Sequence, residues 1–232
     1  MAAKRNGRKV ANTDKRKPIS RVRKRVTPRR DDLILDALER LLAKKSMAEL
    51  DVEPIAVEAG ITRTRFYHYF DSKHAALAAL LRRLRGVLGA AYKHPDSWFL
   101  GRAPHVRPRE SLRRTIDIVA KSWWPHRFVI RETSDLWGAP ADVRDAWLHG
   151  IDFAADQVAD AIERERKVGV APPGGDARLL AEGLIWQSER VFFRVYAEIP
   201  GAMAEEAAKA VGLEIWMRSI YLADDPEPQT KK

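Results

Sequence analysis

The chain has 232 residues, 45% of them hydrophobic, which is enough for one large domain or two smaller ones with a shared core. It has no cysteine, which excludes disulfides and thiolate metal sites and fits a reducing cytoplasm. No apolar run reaches the roughly 18 residues a membrane span needs, and the N-terminus lacks the apolar stretch of a secretory signal.

The net charge of +10 sits at one end. Residues 1–30 hold thirteen Lys and Arg against the single acid Asp14, and the other 202 residues are close to neutral. So basic a segment has too little apolar surface to offset its ordering entropy, so residues 1–30 are expected to form a disordered arm. Such an arm is either a solubilising leader or a polycation that condenses on phosphates, and its own residues leave both readings open.

From Asp31 onward the apolar residues recur with a helical period. In DDLILDALERLLAKK, residues Leu33, Ile34, Ala37, Leu38, Leu41 and Leu42 share a face. Acids at its start and lysines at its end suit the helix dipole. Asp51 then stands where a side chain can cap a second helix, Pro54 falls in its first turn, and Gly60 stops it. A third short helix starts at Thr62, and Ser72 caps a long fourth one over Lys73–Tyr92. Three prolines make 94–108 an irregular connection. Helices follow over Arg109–Trp124, broken near Pro125 and resuming through Trp137, and over Ala141–Lys167, Asp176–Ile199 and Ala202–Leu222. No segment alternates as a strand does, and residues 225–232 read as a disordered tail. The fold class is all-α, with about nine helices.

The third helix carries the first functional signal. In ITRTRFYHYF, Ile61, Phe66 and Phe70 share one face, while Arg63 with Tyr67 and Thr64 with His68 form i, i+4 pairs on another. One side anchors the helix, and the other presents donors for phosphates and base edges. Two short helices around a turn this tight make a helix-turn-helix, whose second member lies in the major groove of DNA.

These residues also resemble a known family. The stretch IAVEAGITRTRFYHYFDSKHAAL is similar to the N-terminal signature of the TetR family of bacterial repressors, over roughly residues 31–80. The resemblance implies that Thr62, Arg63, Thr64, Tyr67 and His68 face double-stranded operator DNA and that Lys73 contacts a phosphate. It implies a three-helix DNA-binding domain over 31–76. Ala76 stands where the family carries a larger apolar residue, which predicts slightly looser packing there. Beside such a domain, the basic arm becomes a candidate for contacts along the phosphates or in a minor groove.

The second half is too long and too apolar for a spacer, and six of the seven tryptophans lie in it. Rings of this size gather in cores or around concave apolar sites. The segments DAWLHGIDFAADQVADAIERERKVG, LIWQSERVFF and EIWMRSIY resemble the ligand-binding half of the EthR-type subgroup of TetR regulators. This implies a domain over 77–224 enclosing a tube for a lipophilic small molecule. Trp147, Ile151, Ile185, Ser188, Glu189, Phe193 and Trp216 would line it, with Leu112, Ile116 and Trp124 from the preceding helix. Ser188 and Glu189 are its polar groups. Ser188 replaces an amide side chain of the subgroup, and Ala154 and Gln157 replace larger rings, so the cavity is expected to differ in shape. The last two helices, apolar on more than one side, suit a homodimer interface.

The favoured reading is a homodimeric regulator, in most cases a repressor, released from a palindromic operator by an apolar effector, with no cofactor, no metal site and no membrane partner. Two others compete. A nonspecific architectural DNA-binding protein could be driven by the arm alone. A small enzyme could use the apolar cavity, yet the sequence has no nucleophile elbow, no H-E-x-x-H and no glycine-rich phosphate loop.

Overall fold

The computed structural model describes residues 30–133 and 138–227. The arm over 1–29, Trp137 and residues 228–232 lie outside the described residues. Nine α-helices and two 3₁₀ turns make up the fold, with no strand among the described residues. The helices are α1 (Arg30–Leu42), α2 (Val52–Glu58), α3 (Arg63–Tyr67), α4 (Lys73–Tyr92), α5 (Pro108–Trp123), α6 (Arg127–Arg131), α7 (Ala141–Lys167), α8 (Ala177–Tyr196) and α9 (Glu205–Tyr221). The 3₁₀ turns are Trp98–Leu100 and Trp124–His126.

Local chemistry sets the boundaries. Gly60 ends α2 with φ +70°, and Ile61 and Gly60 donate their N–H groups back to Ala56 and Val57. That pair of hydrogen bonds is the Schellman motif, which needs a left-handed residue where glycine stands. Ser72 caps α4 by accepting from Ala75 N–H at 3.0 Å, and Thr62 caps α3 by accepting from Arg65 N–H at 3.2 Å. The expected cap at Asp51 is absent: the backbone is extended there, but the exposed carboxylate makes no capping bond. The first turn of α2 already contains Pro54, so one of the N–H groups that would need a cap does not exist. In α1, Leu35 is buried and Leu33 is exposed, the reverse of the single face read from the sequence. The reason is that α1 packs on α2, α4 and α6, so its buried stripe is wider than one face.

Two apolar clusters fill the interior. One gathers α1, α2, α3 and the first half of α4 around Leu38, Leu50, Ile55 and Phe66, all fully buried. Ala76 and Leu77 are buried within it. This core continues past residue 76 to Leu84 and takes in Val129 of α6 and Val143 and Ala146 of α7. The second cluster lies between α4, α5, α7, α8 and α9. The proline-rich connection closes its far end. Trp98, 1% exposed, donates its indole N–H to the Tyr221 hydroxyl at 2.9 Å, and its backbone N–H to Thr115. Beside it, Arg102 and Glu165 form an ion pair, 3.1 Å apart and almost wholly buried.

Candidate DNA-reading helix and ligand cavity

Only five residues are helical in α3, far too few to hold a helix without tertiary support. Phe66 supplies that support, fully buried with its ring centroid 5.9 Å from Phe70, while Ile61, Tyr69 and Phe70 pack partly buried around it. Thr62, Arg63, Thr64, Arg65, Tyr67 and His68 are all exposed on the opposite side. The Arg63 guanidinium stands 5.9 Å from the Tyr67 ring centroid, and the Tyr67 phenol holds it above its usual range. His68 is the C-cap rather than a full member of the helix, and still shares the exposed side with Thr64.

Lys73 is placed differently from the expectation. Its ammonium donates to the Met47 and Leu50 carbonyls at 2.6 and 2.5 Å, binding α4 to the α1–α2 connection. With two of three hydrogens so engaged, it has at most one left for a phosphate.

A partly open cavity of about 170 Å³ lies beside the second cluster. Its walls come from Leu81, Leu88 and Tyr92 of α4, Leu112, Ile116 and Trp123 of α5, and Trp147, Ile151 and Ala154 of α7. The fourth side is α8, through Ile185, Ser188, Glu189 and Phe193, and Trp216 of α9 completes it. Nine of the ten residues expected to line a tube border this cavity. Trp124 does not. It is 41% exposed outside the cavity, packed edge-on to Tyr196, with the Arg127 guanidinium 4.5 Å from its ring. In α5 the cavity face runs through Leu112, Ile116, Val119 and Trp123, spaced i, i+4, i+7 and i+11, and Trp124 lies one residue off that face.

Sequence reasoning missed the α4 wall and Phe99, Ile130, Phe192 and Tyr196. For the last two a signal existed, since they follow Glu189 at i+3 and i+7 on one face.

The polar lining is sparse. Ser188 Oγ accepts from the Trp216 indole N–H at 2.9 Å. Thr115 Oγ1 accepts from Trp98 N–H at 2.7 Å and donates to the Ser111 carbonyl. Burial pushes the Glu189 carboxyl above its usual range, opposed only in part by Arg190. Burial likewise holds the Tyr92 and Tyr196 phenols above theirs, so both are neutral. Among the described residues no group of three or more His, Asp or Glu could hold a metal ion, and no helix is long and apolar enough to cross a membrane.

Between the α1–α4 core and the cavity stands α6, packed on α1 and α8. Ile130 lines the cavity, while its neighbour Val129 is fully buried in the α1–α4 core. Glu132 accepts from Met47 N–H at 2.8 Å, and Arg131 donates to the Leu42 carbonyl at 2.9 Å. Arg83 of α4 bridges Asp36 and Glu39 of α1, and His126 pairs with Glu39 as well.

The model of bacterial regulatory proteins of the tetR family matches residues 34–80, and that of the C-terminal domain of the transcriptional regulator EthR matches 112–222. An HTH-type transcriptional regulator EthR from Mycolicibacterium smegmatis is 31% identical over 194 residues, covering 83% of this chain and 86% of the relative. This chain belongs to the TetR family. Within that family it is an EthR-like, DNA-binding transcriptional regulator. The Mycobacterium tuberculosis EthR is similar at 30% identity over 207 residues, 88% of this regulator and 94% of that one. Solved TetR-family structures share the fold. SmeT, the repressor of a Stenotrophomonas maltophilia multidrug efflux pump, superimposes with TM-score 0.61 at 19% identity, over 86% of this chain and 97% of that one. Thermus thermophilus FadR, solved with lauroyl-CoA, does so with TM-score 0.58 at 21% identity, over 87% and 100%.

Proposed function

We propose that this regulator is a repressor that binds a palindromic operator as a homodimer in the cytoplasm and is released by a lipophilic small molecule held in the cavity. The observation that carries the reading is the position of α6, with Ile130 on the cavity and Val129 in the DNA-binding core. A ligand that spreads the wall at Trp123, Ile130 and Trp147 moves α6. Through Glu132 and Arg131, α6 then moves the connection that holds α2 and α3. Release follows only if the ligand binds the non-reading conformation better, because equal affinity for both shifts nothing.

Arg63 and Thr64 read base edges, and Thr62, Tyr67, His68 and the remaining hydrogen of Lys73 position the helix on phosphates. Homodimerisation through α8 and α9 is supported by apolar side chains facing outward, Leu179 at 70% and Val211 at 42% exposure. It would space two reading helices about 34–36 Å apart or a multiple of that.

A gel shift with DNA from the gene's own upstream region tests this. Expected is a band at low salt that resists nonspecific competitor and disappears with an apolar effector. Equal binding to scrambled DNA would overturn it. Removing residues 1–28 separates the architectural alternative: it abolishes binding if the arm drives it. If α3 does, removal only weakens binding and lowers the salt slope by about 0.9 for each phosphate no longer neutralised.

A further inference from the structure

Among the polar groups of the cavity wall, Glu189 stands apart. Thr115, Ser188 and Tyr196 each hold hydrogen bonds within the protein, the last to the Ala120 carbonyl. Glu189 Oε2 is buried and has no hydrogen-bond donor among the described residues, in a side chain only 8% exposed. The Arg190 guanidinium forms an ion pair with this oxygen at 3.6 Å, too long for a hydrogen bond, and is turned over the Phe193 ring with much of its length in water. A buried carboxyl oxygen with no donor is costly, and one on a cavity wall is satisfied by whatever enters.

What surrounds it narrows the choice of ligand. Phe192, Phe193 and Tyr196 follow Glu189 at i+3, i+4 and i+7, so the carboxyl heads an aromatic stripe along the cavity. Trp123 and Trp147, with ring centroids 6.4 Å apart, face the same space from α5 and α7. Aromatic faces attract cations, and a carboxylate in a low-dielectric site attracts them more strongly still. The other charged lining group, Arg85, is exposed on α4, and α5, α7 and α9 bring no charge to the wall.

We propose that the cavity selects lipophilic amines, with the protonated nitrogen donating to Glu189 between the aromatic faces and the hydrocarbon body filling the apolar remainder. The proposal rests on the cavity being the effector site. A bound ammonium supplies the missing donor. It also stabilises the ionised carboxylate that burial alone disfavours. A carboxylic acid ligand meets repulsion at the same point, and a neutral alcohol offers a weaker bond.

Three probes of one shape test this on the full-length protein, followed by tryptophan fluorescence: 4-phenylbutylamine, 4-phenyl-1-butanol and 4-phenylbutyrate. The amine should bind at least about tenfold more tightly than the alcohol, with the acid weakest. Glu189→Gln should bring amine and alcohol within about twofold of each other. Equal or tighter binding of the alcohol by the wild-type protein overturns the proposal, as does an amine preference that survives Glu189→Gln. Tightest binding of the acid overturns it too and moves recognition to Arg85. If none of the three binds, the amine proposal falls, while the effector reading is decided separately by the gel shift. The wild-type comparison stands whether or not the variant folds.

Discussion

Replacing Glu132 by alanine isolates the joint between α6 and the DNA-binding helices. One oxygen of this side chain, 9% exposed, accepts the Met47 N–H at 2.8 Å, and the other holds Arg131 at 3.1 Å. A hydrogen bond to a charged partner contributes about 1.5–3 kcal/mol, and an unsatisfied buried N–H costs a similar amount. Met47 is 6% exposed, so its N–H has little access to replacement water. A loss of about 2 kcal/mol is expected, which for a chain of this size lowers the melting temperature by roughly 4–8 °C. Circular dichroism at 222 nm measures it. Glu132→Gln keeps an acceptor and should lose about half as much. At a temperature where both proteins are folded, the alanine variant should also show a smaller ratio of operator affinities without and with effector. A melting shift within about 1 °C of wild type, as surface substitutions give, would refute the bond's contribution. An unchanged affinity ratio would refute α6 as the connection.

Thr62→Ala should cost about 1 kcal/mol by removing a real cap, whereas Asp51→Ala, with no capping bond to lose, should stay within about 0.5 kcal/mol in the same melts. Arg63→Ala should weaken operator binding by about 1–3 kcal/mol in anisotropy titrations and leave the melting curve unchanged, since the side chain is exposed. Trp123→Ala should weaken effector binding and Trp124→Ala should not, read by titration calorimetry. The folded Glu189 carboxyl sits above its usual value of 4.5, so its contribution to stability is full below that value and is lost as pH rises through the folded one. Glu189→Gln should therefore be more stable than wild type at pH 8 in urea titrations. The gap should close as pH falls below about 4.5.

What the sequence conveyed was chiefly local. Helical period, Gly60, Ser72 and the run from Thr62 to Phe70 each act within a few residues, and each is seen where it is expected. The misses share a cause. Trp98 reads as part of a proline-rich loop, yet its partner is Tyr221, 123 positions away, which no periodicity can signal. Trp124 is the exception, a local misreading by one residue: the helical period that aligns Leu112, Ile116 and Val119 puts Trp123 on the cavity face. Leu81, Leu88 and Tyr92 fall within the expected ligand domain over 77–224, yet nothing local says which face of α4 borders the cavity. Lys73 reads as a free charge because its acceptors are carbonyls, which carry no mark in the sequence.

Leu81 and Ala146 are wall to the cavity and core to the DNA-binding helices at once. A lineage acquiring a new effector cannot recarve that wall without altering the packing that holds the reading helix in place. Ile116 and Ile185 carry no such double duty: they touch the cavity and lie apart from the core around Phe66. Divergence in ligand taste, whether by natural drift or by a biosensor engineer, should therefore accumulate on the α5 and α8 walls and leave α4 nearly untouched.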